Sequence, residues 1–428
     1  MQRIAFISEH ASPLAPLGGV DGGGQNVYVG NLARELGRLG YLVDIYTRRD
    51  DPDAPHVVDW RPGVRVIRID AGPAAMLPKE ALLPYMPQFA QAMLRFVEQS
   101  ALCYALVHAN FFLSGMVAQQ LKRDLGLPYV ITFHALGRVR RLYQGDADGF
   151  PDARFALEEA LMRDADCVIA ECEQDRSDML ALYDGAPARL AVVPCGFDPD
   201  EFWPVRTTAR AALGLPERDF IVLQLGRMVP RKGIDNVLRA LRLLLDERRI
   251  VARLLVVGGE GGADPMATPE IRRLAQLART LGIDDQVSFA GAQPRHRLRE
   301  YYSAADVFVT TPWYEPFGIT PLEAMACATP VIGSAVGGIL STVLDGQTGF
   351  LVPPNDPAAL AAKLARLQRD PALAQRMGWT GLRRAQRHFT WERVAMQVAS
   401  VYRSVLASAE AGGHSVTPAA PVVSGMAQ

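Results

Sequence analysis

LQLGRMVPRKGIDNVLRAL, residues 223–241, decides how the chain folds. An apolar run ends at Gly226, a basic turn carrying Arg227 and Lys232 follows, and from Ile234 apolar side chains recur at helical spacing. A strand that passes through a short turn into a helix is the unit from which parallel sheets are built. Two cations at the carboxyl end of such a strand can face a cleft, where a diphosphate would be neutralised without a metal. Taken alone, the pair also fits an ordinary solvated basic turn.

The same alternation runs outward in both directions. Residues 253–259, 287–291, 307–311, 330–334 and 349–353 read as further strands, with helical stretches at 234–245 and 358–369. On the other side, 4–8, 42–47, 64–69, 106–109, 129–134, 167–172 and 190–195 form a first set. A helix over 27–39 places Val29, Leu32, Leu36 and Leu39 on one face. Residues 196–218, rich in Pro, Gly and charge, interrupt the pattern. The chain of 428 residues exceeds what one core accommodates. We therefore expect an N-terminal domain over 1–198, a linker over 199–218 and a C-terminal domain over 219–390. Both read as α/β, doubly wound and Rossmann-like, facing a cleft at the carboxyl ends of their strands. The stretch 391–406 reads as a last helix returning to the first domain, and 409–428, rich in Gly, Ala, Pro and Ser, as a disordered tail.

Composition narrows the function. A net charge of −1 argues against capture by nucleic acid. The five cysteines are scattered without a CxxC, which excludes a zinc site and reads as reduced thiols. MQRIAFISEH is too short in its apolar part for a signal peptide, and no run spans a bilayer, so a cytoplasmic enzyme is expected. Nine Lys/Arg between residues 361 and 403 oppose two acids. A solvated basic helical face is the better reading, with contact to a membrane surface as the alternative.

Two more segments carry chemistry. PLGGVDGGGQNVYVGNL (16–32) holds Gly18, Gly19, Gly22, Gly23 and Gly24 ahead of a helix, where free N–H groups and close backbone approach suit a phosphate. No Gly-Lys-Ser/Thr closes it, so it is not a P-loop. In TPWYEPFGITPLEAMACATPVIGS (311–334), Glu315 sits in a loop and Glu323 in the first turn of a helix that Pro321 can start. Carboxylates there can accept sugar or ribose hydroxyls, and the amides of 317–320 lie at a positive helix end. Singly, each glutamate fits a plain structural role as well.

Together, EPFGITPLE (Glu315 and Glu323), GRMVPRKG (Arg227 and Lys232) and GGVDGGGQNVYV resemble the retaining glycosyltransferases of family 4, which have the two-domain GT-B fold. The likeness runs from Ile4 to about Tyr402. HANFFLSG (108–115) and ITFHALG (131–137) look like the branch of sucrose synthase, sucrose-phosphate synthase and the enzyme joining N-acetylglucosamine to inositol phosphate. The resemblance implies a UDP-sugar donor as substrate, a hydroxyl acceptor that is a small molecule or glycan, no cofactor and no metal. It places Arg227 and Lys232 on the diphosphate, Glu323 on the ribose, and Glu315, Phe317, Gly318 and Ile319 at the donor with Gly23 and Gly24. His134 would lie beside the reacting carbon. The DxD triplets, at Asp51, Asp146, Asp164 and Asp198, follow no strand at the cleft and read as chance.

The same likeness assigns an acceptor side to Asn26, Lys79, Phe111, Arg138 and Arg154. Lys79 and Arg154 keep the residues that hold an acceptor phosphate in the inositol-phosphate enzymes. Phe111 and Ala135 stand where that branch has hydroxyls, and each missing contact costs on the order of 1–3 kcal/mol. Alternatives are sucrose synthesis or cleavage and, in another class, a non-catalytic nucleotide-sugar-binding protein. A dinucleotide oxidoreductase would need a G-x-G-x-x-G that the 18–24 loop lacks. A homodimer stays open.

Overall fold

Apolar runs long enough to be buried on both faces make the strands. In β1 (Arg3–Ile7), Ile4 and Phe6 enter one apolar layer while Ala5 and Ile7 enter the other. The computed structural model describes residues 1–15, 23–259 and 264–411. Gly18, Gly19 and Gly22 lie outside the described residues, as do residues 412–428 of the expected tail.

The first sheet comprises β1, β2 (Leu42–Arg48), β3 (Val57–Arg61), β4 (Val64–Ile69), β5 (Leu106–Asn110), β6 (Tyr129–Thr132), β7 (Cys167–Ala170) and β8 (Leu190–Val192). Its order is β3-β4-β2-β1-β5-β6-β7-β8, parallel except for the β3–β4 hairpin. The second comprises β9 (Phe220–Leu225), β10 (Ala252–Val257), β11 (Val287–Gly291), β12 (Val307–Thr310), β13 (Val331–Ser334) and β14 (Gly349–Val352). It runs β11-β10-β9-β12-β13-β14, all parallel. In each sheet the winding reverses beside the first strand, between β1 and β5 and between β9 and β12. A crevice opens at the carboxyl ends of strands at such a switch point, and here two crevices face each other.

The linker differs from its expected span. Residues 206–212 form a helix, Arg206–Ala212, that belongs to the second domain. Arg206 and Arg210 both pair with Asp306 next to β12, at 2.6 and 2.7 Å. The chain returns to the first domain beside its outward path, where Phe197 and Thr390 form a parallel bridge.

The last helix, Trp391–Ala411, extends past its expected end and packs on the first domain. Trp391 is buried edge-on to Tyr28 of the first helix, Gly24–Arg38, with ring centroids 5.7 Å apart. Tyr402 Oη lies 2.7 Å from Nδ1 of His108 on β5. Burial first, and His134 second, push His108 down to about 3, so it is a neutral structural imidazole. One apolar cluster contains residues of both domains, among them Phe6, Val29, Phe197, Phe202, Leu223, Phe308 and Trp391. Among the described residues, no helix is long and apolar enough to cross a membrane.

Candidate active site

The two switch points enclose a cleft of about 1110 Å³. One wall starts with the basic turn. Gly233 has φ +66, and a Cβ there would lie 2.0 Å from the carbonyl oxygen of Thr311 at the end of β12. Only glycine therefore lets the turn press backbone to backbone on the neighbouring strand. Thr311 Oγ1 donates to Gly233 O at 2.8 Å and Trp313 N to Arg231 O at 2.9 Å. This contact brings Lys232 to Glu315, which are 83 positions apart.

Lys232 Nζ donates directly to Glu315 Oε2, and Arg231 Nη1 lies 3.7 Å from the same oxygen. Burial raises the Glu315 carboxyl, but Lys232, Arg231 and Arg227 outweigh it and hold the group below its ordinary range. Burial pushes Lys232 down to about 8; Glu315 opposes this, while Arg231 and Arg227 add to it. Three cations around one carboxylate leave a local charge of 3 − 1 = +2 in the wall of the cleft. Such a pocket favours an anion. Arg231 was not singled out in the sequence; its adjacency to Lys232 was the available signal.

Arg227 reaches the opposite wall. A Cβ on Gly23 would sit 3.6 Å from its Cδ and Nε, so the glycine loop of the first domain lies against it. Gly23 and Gly24 line the cleft at the start of the first helix, and Ile319 lies 3.8 Å from a Cβ built on Gly24. Gly318 caps the helix Ile319–Ala326 with φ +87, and Phe317, Gly318 and Ile319 turn this helix start toward the cleft. The helix begins two residues before Pro321, which places Glu323 in its second turn and not its first. Glu323 is therefore no helix-end charge. It accepts from Arg295 Nη1 at 3.1 Å and from Tyr302 Oη at 2.8 Å. A carboxylate has about four acceptor sites, so these two bonds leave capacity for a diol. Gln293, just after β11, also lines the cleft.

His134 lies two residues past β6 with φ +58, and Phe111 directly follows β5 with φ +86 and ψ 159. Both are strained conformations for a residue with a side chain, and both occur at the cleft. His134 Nε2 lies 3.1 Å from Asn110 Oδ1 and Nδ1 3.1 Å from Glu171 Oε1. Burial raises the Glu171 carboxyl, yet His134 and the Cys195 thiol hold it below its ordinary range. Asn110 and Glu171 thus fix the ring. Nothing local marked them, since Glu171 lies 37 residues from His134.

Of the residues expected on the acceptor side, only some line the cleft. Asn26 is not in the cleft wall. Its Oδ1 accepts from Gly23 N and its Nδ2 donates to Ser12 O, both at 2.9 Å, so it holds the glycine loop on the helix start. Arg138 turns away, its guanidinium on the Leu182 carbonyl and on Glu159 and 4.9 Å from the Tyr183 ring. Arg140 lines the cleft in its place and pairs with Asp148 at 2.9 Å. Arg154 lies behind the wall, fully buried among the rings of Phe111, Phe112 and Phe150 and paired to Glu158 at 2.6 Å. Its Nη1 has no hydrogen-bond partner. Lys79 and Phe111 do line the cleft, joined by His10, whose Nδ1 lies 2.6 Å from the buried Glu9 carboxylate. Aspartates of the DxD triplets are engaged elsewhere: Asp148 with Arg140, Asp166 with Lys122 and Asp198 with Arg34.

Comparison with known proteins bears on the family and the fold. The family described as "Glycosyl transferases group 1" matches residues 205–384, and "Glycosyl transferase 4-like domain" matches residues 23–196. A D-inositol 3-phosphate glycosyltransferase from Kineococcus radiotolerans is 39% identical over 94% of this chain and 95% of its own. One from Corynebacterium efficiens is 38% identical over 96% and 97%. The structure of sucrose-phosphate synthase from Thermosynechococcus elongatus is 38% identical, with a TM-score of 0.87 over 95% of this chain and 100% of the other. Anabaena HepE in complex with UDP and glucose shares the fold at 20% identity, with a TM-score of 0.72 over 94% of this chain and 100% of that one.

Proposed function

Since the chain belongs to the group 1 glycosyltransferases, of the GT-B, family 4 type, we propose that it moves glucose or N-acetylglucosamine from a UDP-sugar to a hydroxyl acceptor, with retention and without a metal. The cation cluster at Glu315 carries this reading. Arg227, Arg231 and Lys232 supply fixed positive charge where a leaving diphosphate would build negative charge. The amides at the start of the helix Ile319–Ala326 add donors on the same side. Glu315 then takes a sugar hydroxyl, Glu323 the ribose, and His134 stands beside the sugar from the opposite domain. In this arrangement the acceptor hydroxyl approaches on the face of the leaving diphosphate, whose oxygen takes the proton. The protein contributes alignment and charge.

A screen of sugar nucleotides against acceptors, read by release of nucleoside diphosphate, tests the proposal. NMR of the product anomer tests retention, and EDTA tests the metal. Inverted product or loss of turnover in EDTA would count against those parts. A second reading, transfer of glucose to fructose 6-phosphate, is favoured by the likeness to sucrose-phosphate synthase. Inositol phosphate and fructose 6-phosphate in the same screen separate the two.

A further inference from the structure

The loop that carries Glu315 is gripped by the other domain on both sides of that residue. One residue before it, Tyr314 Oη accepts from Gln144 Nε2 at 2.6 Å. The Tyr314 ring stacks on Tyr143, with centroids 5.2 Å apart and planes at 19°. One residue after it, the carbonyl of Pro316 accepts from Cys172 Sγ at 3.3 Å. Tyr143 and Gln144 belong to the helix Gly137–Gln144, which also supplies Arg140 to the acceptor wall. Cys172 follows Glu171, the residue that holds His134. On the donor side, the guanidinium of Arg231 lies 5.2 Å from the Tyr314 ring and 3.7 Å from Glu315.

We propose that Tyr143, Gln144 and Tyr314 are positioning residues that align Glu315 with the sugar when the two domains meet. The proposal rests on the donor-site reading above. Its physical basis is that Glu315 sits on a loop, and its geometry is fixed by contacts at its neighbours. Sugar-nucleotide binding draws on Arg227, Lys232 and Glu323, which the second domain carries, and Tyr314→Phe keeps the ring beside Arg231. Alignment of Glu315 draws on both domains. Turnover therefore depends on the aromatic pair and the Gln144 bond, while affinity for the nucleoside diphosphate does not. Tyr143 is half exposed and Tyr314 is buried, and the stack joins the two walls.

The test compares wild type with Tyr314→Phe, Gln144→Ala and Tyr143→Ala, with Tyr143→Phe as the conservative control. Removing one hydroxyl or one ring should lower kcat roughly 5- to 10-fold. The dissociation constant of UDP by calorimetry should stay within about twofold. Tyr143→Phe, which keeps the stack, should restore wild-type kcat. Unchanged kcat in all three variants overturns the proposal. So does a loss of UDP affinity equal to the loss of kcat, which would mark general damage to the loop. If wild type transfers no sugar from any donor, the functional reading fails by itself. Small-angle scattering of the UDP-bound proteins then still decides: a larger radius of gyration in Gln144→Ala and Tyr143→Ala supports the contact as a domain tie, and an identical one overturns it.

Discussion

Replacing Lys232 with alanine isolates the electrostatics of the donor pocket. Its ammonium is buried against Glu315, with Arg231 and Arg227 as cationic neighbours, and its pKa is lowered to about 8. A bound diphosphate favours the charged lysine, so binding takes up a proton wherever the free lysine is neutral. A charge-assisted hydrogen bond to phosphate is worth about 1.5–3 kcal/mol, roughly 10- to 150-fold in dissociation constant. Titration calorimetry with UDP at neutral pH should show Lys232→Ala weaker by that factor. The sign with pH follows from the lowered pKa. Below about 8 the wild-type lysine is already charged, and its contribution is flat. Above that point each pH unit costs the wild type up to a factor of about ten. The wild-type curve should therefore fall toward that of the variant as pH rises toward 10, with proton uptake visible as a dependence on buffer ionisation heat. A gap below about threefold at neutral pH, or one that persists undiminished at high pH, would refute the reasoning.

Three further outcomes are expected. Glu315→Gln should cut kcat by roughly 100-fold while UDP binds no more weakly, because the substitution removes a negative charge from the cation cluster; steady-state rates beside calorimetry check the split. Asn26→Ala should cost about 1 kcal/mol in urea unfolding and raise the donor KM without touching the acceptor KM, since both ends of that amide hold backbone. Trp391→Ala should cost about 3–5 kcal/mol, as it empties a fully enclosed site between Gly196 and Tyr28; a shift in the urea midpoint at constant slope measures it.

The alternation of apolar runs and helical periods was enough to read two doubly wound sheets, because parallel strands are buried on both faces and announce themselves without long-range information. β3 escaped that reading because it is an edge strand with only partial burial. The helix Arg206–Ala212 escaped it because its anchor is Asp306, about a hundred residues away. The same limit governs the site. Arg227 and Lys232 follow β9 and Glu315 follows β12, places that sequence alone marks, whereas Glu323 stands one turn into its helix. Their partners were not legible: Glu323 meets Arg295 across 28 positions and His134 meets Glu171 across 37. On the acceptor side, nothing in the spacing of GRVRRLY distinguishes the arginine that turns inward, Arg140, from Arg138, which does not.

The last helix bears on how this molecule can be recombined. Its residues 391–411 follow the second domain in the chain yet pack on the first domain through Trp391 and Tyr402. A chimera spliced once, at the outward crossing, would join the first domain of one relative to the closing helix of another and mismatch the contacts at Tyr28 and His108. The second domain can be exchanged cleanly only as an insert, with one junction near Phe197 and a second near Thr390, where the two crossings already lie side by side.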